Sequence, residues 1–269
     1  MLGLAAKRAT PKFSYSVAAR RSVSVKSLLH GSPEAKQAGD LELQQHSRLV
    51  ARGKYVHGIE VHHVKPEAAE AYKKAAEKYY TGLISDPELH VKLTGDWETV
   101  VGVQDTYFHI LEYENYSGYD KTTALIRKEG AQHRKAYQEM LPYLTSRSAQ
   151  LGQEFSFLPT APPHAEGGIF ELRTYQLQPG TLLDWEQTWR QGIEARRKFV
   201  EPVGAWFSQV GRLHQVHHLW QYPDLAARKE LREKAWKIDG WAETVSKTSQ
   251  LATTMDAFIL QPLSFSPLK

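Results

Sequence analysis

The chain of 269 residues contains no cysteine. That single absence removes disulfides, thiolate nucleophiles, iron–sulfur clusters and Cys-type zinc sites. No apolar run approaches the ~18–20 residues that a membrane-spanning helix needs, so a soluble or peripheral mature protein is expected. Phosphate loops are missing too: Gly82, Gly95, Gly102, Gly204 and Gly211 stand at expected turns or bulges without phosphate-loop spacing. Nor is there a Ser-centred nucleophile motif, or a His-x-x-x-His pair on an expected helix. His62-His63 and His217-His218 lie on expected strands, where adjacent side chains point to opposite faces, so neither pair chelates one ion. No metal and no cofactor are assigned.

Acidic residues are absent before Glu34, whereas Lys7, Arg8, Lys12, Arg20, Arg21 and Lys26 all lie there. The chain's net charge is +4, but setting those six aside leaves 28 basic against 30 acidic residues. The basic balance therefore belongs to the N-terminal stretch, and a folded part without basic excess argues against nucleic-acid binding. Basic residues interleaved with Leu2, Leu4, Phe13, Tyr15 and Val17 give residues 1–33 the form of a mitochondrial transit peptide. A secretory signal would show a continuous apolar core there, and none is present. Residues 34–53 are polar, with Leu41, Leu43, Leu49 and Val50 dispersed, and read as a flexible arm.

What the chain does contain is a duplication. Aligned at an offset of 109, positions 95–113 and 204–222 share six identities: Gly95/Gly204, Trp97/Trp206, Val101/Val210, Gly102/Gly211, His109/His218 and Tyr113/Tyr222. Ordinary residue frequencies would give about one. The match extends outward with small shifts. Ile59-Glu60-Val61 corresponds to Phe170-Glu171-Leu172, Pro66 to Pro179, and Tyr72 to Trp185.

Each copy parses alike. A β-branched, apolar strand (55–64; 169–177) meets a proline suited to the first turn of a helix (67–82; 180–199). Two strands follow (90–102 and 105–114; 203–210 and 213–222), then a second helix (119–147; 224–239) with Asp224 as an N-cap, then a closing strand (151–158; 254–261). This is the order βαββαβ twice, an α+β fold of two tandem ferredoxin-like repeats. The first repeat spans 54–158, a Pro/Gly-rich linker 159–168, and the second repeat 169–269. A four-stranded sheet with its helices on one face leaves the other face bare. Two such units can bury those faces against each other as a pseudo-dimer of the dimeric α+β barrel type.

Strand alternation sorts the polar candidates. His218, Trp220 and Tyr222 share one face, as do His109, Leu111 and Tyr113 in the first copy. Phe170 and Leu172 are expected to cover the helices, which turns Glu171, Arg173 and Tyr175 toward a cavity between the sheets. Arg173 beside Glu60 or Glu171, with His109 and His218 from facing sheets, forms the candidate constellation. It reads either as a pocket for an anionic or aromatic small molecule or as a self-satisfied network holding the repeats in register. His62 aligns with Arg173, so any site is asymmetric and expected in the second half. The seven tryptophans read as core and interface filling.

Glu171-Leu172-Arg173-Thr174-Tyr175, Phe207-Ser208-Gln209-Val210-Gly211, Val216-His217-His218-Leu219-Trp220 and Ser266-Pro267-Leu268 resemble the NipSnap family. The first half agrees through Gly95-Asp96-Trp97, Gly102-Val103-Gln104-Asp105 and Leu151-Gly152-Gln153-Glu154-Phe155, for a coverage of about 46–269. The resemblance implies a mitochondrial protein, most often of the matrix, linked to mitochondrial quality control and vesicle traffic through partners that include autophagy-related proteins. It brings no catalytic residue set, so partner binding rather than catalysis is the expected mode of action. The alternative is a small-molecule or haem-binding barrel of monooxygenase type, with His109 or His218 as axial ligand. Edge-to-edge association of the sheets leaves a homo-oligomer open.

Overall fold

The structure, a computed structural model, describes residues 52–269. The expected leader, and all but the last two residues of the expected arm, lie outside the described residues. The first repeat comprises β1 (Arg52–Val64), α1 (Ala69–Ser85), β2 (Val91–Val101), β3 (Thr106–Tyr113), α2 (Tyr116–Arg127), α3 (Gln132–Met140) and β4 (Leu144–Phe155). The second comprises β5 (Ile169–Leu177), α4 (Leu182–Gly192), α5 (Glu194–Arg197), β6 (Pro202–Val210), β7 (Gln215–Tyr222), α6 (Leu225–Trp236), α7 (Trp241–Gln250) and β8 (Ala252–Pro262). Asn115 and Asp224, again 109 apart, cap α2 and α6 by accepting from the amides of Gly118 and Ala227.

The helices depart from expectation where backbone chemistry intervenes. The single helix expected over 119–147 breaks at Gly130, which sits at φ 79°. It ends in a 3₁₀ turn containing Pro142, so β4 begins at Leu144 rather than 151. In the second repeat, Gly240 at φ 82° separates α6 from α7, a helix the sequence did not announce. The buried face of α7 is Trp241, Thr244 and Thr248, which carries little apolar periodicity.

All strand pairs are antiparallel, and the sheet closes into an eight-stranded barrel in the order β1-β3-β2-β8-β5-β7-β6-β4. The seams between repeats are β2–β8 and β4–β6. Each strand therefore stands half a turn around the barrel from its counterpart, and a pseudo-twofold axis runs along the barrel axis. Strands β1, β2, β5 and β6 run the same way, so the hairpins β2–β3 and β6–β7 turn at the same mouth.

The barrel interior is filled from both repeats by Ile59, Trp97, Phe108, Phe170, Leu172, Trp206, Leu219 and Leu260. Trp97 and Trp206 are fully buried, each contributing roughly 4–6 kcal/mol of transfer free energy. The repeated Gly-x-Trp has a steric cause. A Cβ on Gly95 or Gly204 would stand 2.3 or 2.5 Å from the indole two residues on, so only glycine lets the ring fold back over its own strand. At the mouth opposite the hairpins, Leu268 of the C-terminal tail is buried in the same core, and Ser266 Oγ accepts from the Asp96 amide. The tail closes that end of the space between the sheets, which at the hairpin end opens into a hollow lined by Ile59, Phe108 and Phe258.

The helices pack on the outer face of each half-barrel over separate cores. Tyr72, Tyr80, Leu83 and Met140 belong to the first, and Phe155, Trp185, Trp189 and Ile193 to the second. This arrangement corrects the expected face assignment. Phe170 and Leu172 point into the barrel, whereas Glu171, Arg173, Tyr175, His218, Trp220 and Tyr222 lie on the outer face, beneath the helices. A closed barrel offers an apolar interior as dry as the helix layer, so hydrophobicity alone does not distinguish the two faces of β5.

Candidate functional site

The two outer layers hold different chemistry. In the first repeat, α1, α2 and α3 stand off the sheet and leave a cleft of about 680 Å³. Its wall is aromatic and apolar, with Tyr79, Leu83, Tyr113, Tyr119, Ile126 and Tyr137. Arg127, Arg134 and Arg147 also line it, and Glu60 and His62 of β1 form its polar floor. Arg147 is held by the Tyr137 hydroxyl and lies over that ring at 5.1 Å. The sequence reading placed any ligand site in the second half; the cleft lies in the first.

Behind the floor runs a chain of hydrogen bonds. His62 Nδ1 meets Tyr72 Oη at 2.7 Å, Tyr72 Oη meets His109 Nε2 at 2.7 Å, and His109 Nδ1 meets Asp96 Oδ1 at 2.5 Å. These residues come from β1, α1, β3 and β2. Tyr72, Asp96 and His109 are fully buried, and Tyr80 stacks on His109 at 4.3 Å while donating to Glu60 Oε2 at 2.7 Å. His62 Nε2 stands 3.9 Å from Glu60 Oε2, beyond hydrogen-bond reach.

Burial sets the proton affinities. It pushes the Asp96 and Glu60 carboxyls up, with the Tyr80 hydroxyl partly opposing the rise at Glu60. It pulls His109 down to about 3 and His62 well below its ordinary value, where His109 and Arg147 add to the effect. It also raises the Tyr72 and Tyr80 hydroxyls. Both imidazoles are thus neutral near pH 7, each with one donor and one acceptor nitrogen.

In the second repeat the equivalent layer is closed. Glu171 is fully buried and accepts from Arg173 at 2.9 Å and from Arg228 at 2.9 and 2.6 Å. Burial pushes its carboxyl up, but the Arg228 hydrogen bonds and the Arg173 charge outweigh that and bring it to about 2. Arg173 also donates to Tyr175 Oη at 2.8 Å. Tyr222 Oη accepts from Arg196 at 2.5 Å. His218 accepts from Trp220 Nε1 at 2.6 Å, and the rings of Tyr175, Trp185 and Trp189 surround it.

The candidate residues therefore divide into two groups that do not meet. Glu171, Arg173, Tyr175, His218, Trp220 and Tyr222 assemble in the second repeat. Glu60, His109 and Tyr113 stand in the first, and Arg173 pairs with Glu171, not Glu60. Neither histidine fits haem ligation: both His109 nitrogens are engaged, and the free His218 Nε2 is walled in by tryptophans. Among the described residues no group of three or more His, Asp or Glu is placed to hold a metal ion. His62, Tyr72, Tyr80 and Asp96 are not among the identities between the repeats, and the sequence did not mark them as site residues. Their signal was divergence, since the aligned positions hold Arg173, Trp185, Ile193 and Ala205.

Known proteins resemble the chain in sequence and in fold. The NIPSNAP family matches residues 170–267. NipSnap homolog 2 of Homo sapiens is 39% identical over 231 residues, covering 83% of this chain and 79% of its own length. NipSnap of Drosophila melanogaster is 33% identical over 230 residues, covering 83% and 82%. Among solved structures, a putative monooxygenase from Fusobacterium nucleatum superposes with a TM-score of 0.59 at 13% identity, covering 79% of this chain and 94% of its own. One from Lactobacillus acidophilus gives 0.56 at 12%, covering 79% and 95%. At such identities the likeness is one of fold. The architecture is a dimeric α+β barrel built within a single chain. By its relatives, the chain belongs to the NipSnap family.

Proposed function

We propose that this chain is a mitochondrial binding protein that works in quality control or vesicle traffic by engaging partner proteins, autophagy-related ones among them. The observation that carries this reading is a pair of equivalent apolar tips at one barrel mouth. Val101 and Val210 are 52% and 54% exposed, with Val103 and Leu213 exposed beside them. Asp105 and His214 hold both turns at φ 57° and 59°. Between the tips lies a hollow of about 390 Å³, lined by Val103, Phe108 and Phe258 with His63, Arg212 and Asp256. An apolar surface rimmed by polar groups is the pattern of a docking site. The full chain with a fluorescent protein fused at Lys269 is expected in mitochondria, and a cytosolic signal would overturn the location. Proximity labelling from that fusion is expected to lose its main partners when Val101→Asp and Val210→Asp are combined; an unchanged partner set would overturn the docking reading.

The first-repeat cleft favours a second reading, a small-molecule site. Its arginines suit an anionic group and its tyrosines a planar body. Thermal shift with (4-methoxy-3-nitrophenyl)acetate is expected to stabilise the protein, and Leu83→Trp, which fills the cleft, to abolish the effect. Equal stabilisation of both proteins would place binding elsewhere.

A further inference from the structure

We propose that the Asp96–His109–Tyr72–His62 chain is a proton relay opening at the cleft floor, and that the cleft receives a planar anionic molecule whose hydroxyl proton the relay takes up. The inference rests on the reading of the cleft as a small-molecule site and supplies its chemistry. His62, Tyr72 and His109 each both donate and accept, Asp96 as the starting carboxylate accepts at the end, and each hydrogen bond is 2.7 Å or shorter. One end is sealed in the core at Asp96; the other lies at His62, which lines the cleft.

The step balances without an oxidant or a second reactant. The ligand hydroxyl gives its proton to His62 Nε2. His62 Nδ1 passes its proton to Tyr72 Oη, Tyr72 passes its own to His109 Nε2, and His109 Nδ1 passes its own to Asp96 Oδ1. The products are a ligand oxyanion and a neutral Asp96, and both imidazoles end in their other neutral tautomer. Asp96 suits the role of terminal acceptor. Its Oδ2 has no partner, which costs less on a carboxylic acid than on a carboxylate.

The surroundings favour transfer over a fixed charge. Facing the relay are Glu60 from β1, Tyr79 and Tyr80 from α1, Tyr107 and Tyr113 from β3, Tyr137 from α3 and Arg147 from β4. The Arg147 charge disfavours an imidazolium at His62 and stabilises an oxyanion in the cleft. A hydrogen-bond network kept only for packing would be expected in both halves. The second repeat keeps the barrel with Arg173, Trp185, Ile193 and Ala205 in place of His62, Tyr72, Tyr80 and Asp96, so the fold does not require the relay.

The test uses the purified full chain and a chromophoric probe, (4-hydroxy-3-nitrophenyl)acetate, alongside its methyl ether. The nitrophenol reports its own ionisation by visible absorbance. Bound to the native protein, its apparent ionisation is expected to fall by about one pH unit, a tenfold change. Nitrogen NMR is expected to show His62 and His109 changing tautomer together as the probe binds. Tyr72→Phe removes the one oxygen that joins the imidazoles. It is expected to return the probe's ionisation to its free value while methyl ether affinity is retained, and to leave His109 unresponsive. Asp96→Asn, which removes the terminal acceptor, is expected to do the same. If the ether binds and the probe ionises alike in native and variant proteins, the relay is overturned while the cleft reading survives. If neither compound binds, the cleft reading fails and the relay falls with it.

Discussion

The two repeats share a barrel half and differ in what they keep under their helices. The first holds neutral imidazoles, a high-affinity carboxyl and an open cleft; the second holds a guanidinium–carboxylate cluster and a wall of tryptophan. Glu60 and Glu171 occupy equivalent strand positions, yet one is pushed toward protonation and the other toward ionisation. The local partner decides the outcome: a tyrosine hydroxyl donates to Glu60, and two guanidiniums donate to Glu171.

That contrast can be broken most forcefully at the equivalent positions Tyr72 and Trp185. Trp185→Ala removes a fully buried indole from the second core and is expected to cost about 3–5 kcal/mol in urea denaturation. Glu171→Ala strands two partly buried guanidiniums and is expected to cost about 3 kcal/mol. Tyr72→Phe unpairs two imidazole nitrogens and is expected to cost about 2 kcal/mol without loss of the barrel, checked by the same denaturation and by circular dichroism. Val101→Asp with Val210→Asp is expected to shift stability by under about 0.5 kcal/mol, so any loss of partners would not reflect unfolding.

The pH dependence sharpens the comparison, because the two carboxylates have opposite signs. Glu171 falls from 4.5 to about 2 on folding. Its contribution is therefore present above about 4.5 and is lost as pH falls toward 2. Asp96 is raised above its ordinary 3.8, so its contribution is full below that value and is lost as pH rises through the folded one. The stability deficit of Glu171→Gln should shrink on acidification, and that of Asp96→Asn should grow. Parallel profiles would mean that the repeats do not differ as described.

Much of the scaffold was legible in the letters. Gly95-x-Trp97 and Gly204-x-Trp206 announced the duplication, Asp224 its helix cap, and the bare sheet faces the closure into a barrel. The facing of β5 was not legible, because Phe170 and Leu172 would be equally content under helices or inside the barrel. The relay escaped for a different reason. Its four members come from four elements and are adjacent only after β1, β2 and β3 pair and α1 lies across them. Their identities carry no motif, and the useful clue was where the second copy had replaced them.

The axis that relates the repeats passes through the open mouth, so a partner seated there meets a similar rim after a half-turn. Orientation must come from positions at which the tips differ, among them Val103 opposite Arg212, Gln104 opposite Leu213 and Asp105 opposite His214. A symmetric partner could bridge both tips with one repeated contact. An asymmetric one would be aligned by the Arg212 charge, and so directed to one side of a molecule whose two sides do different work.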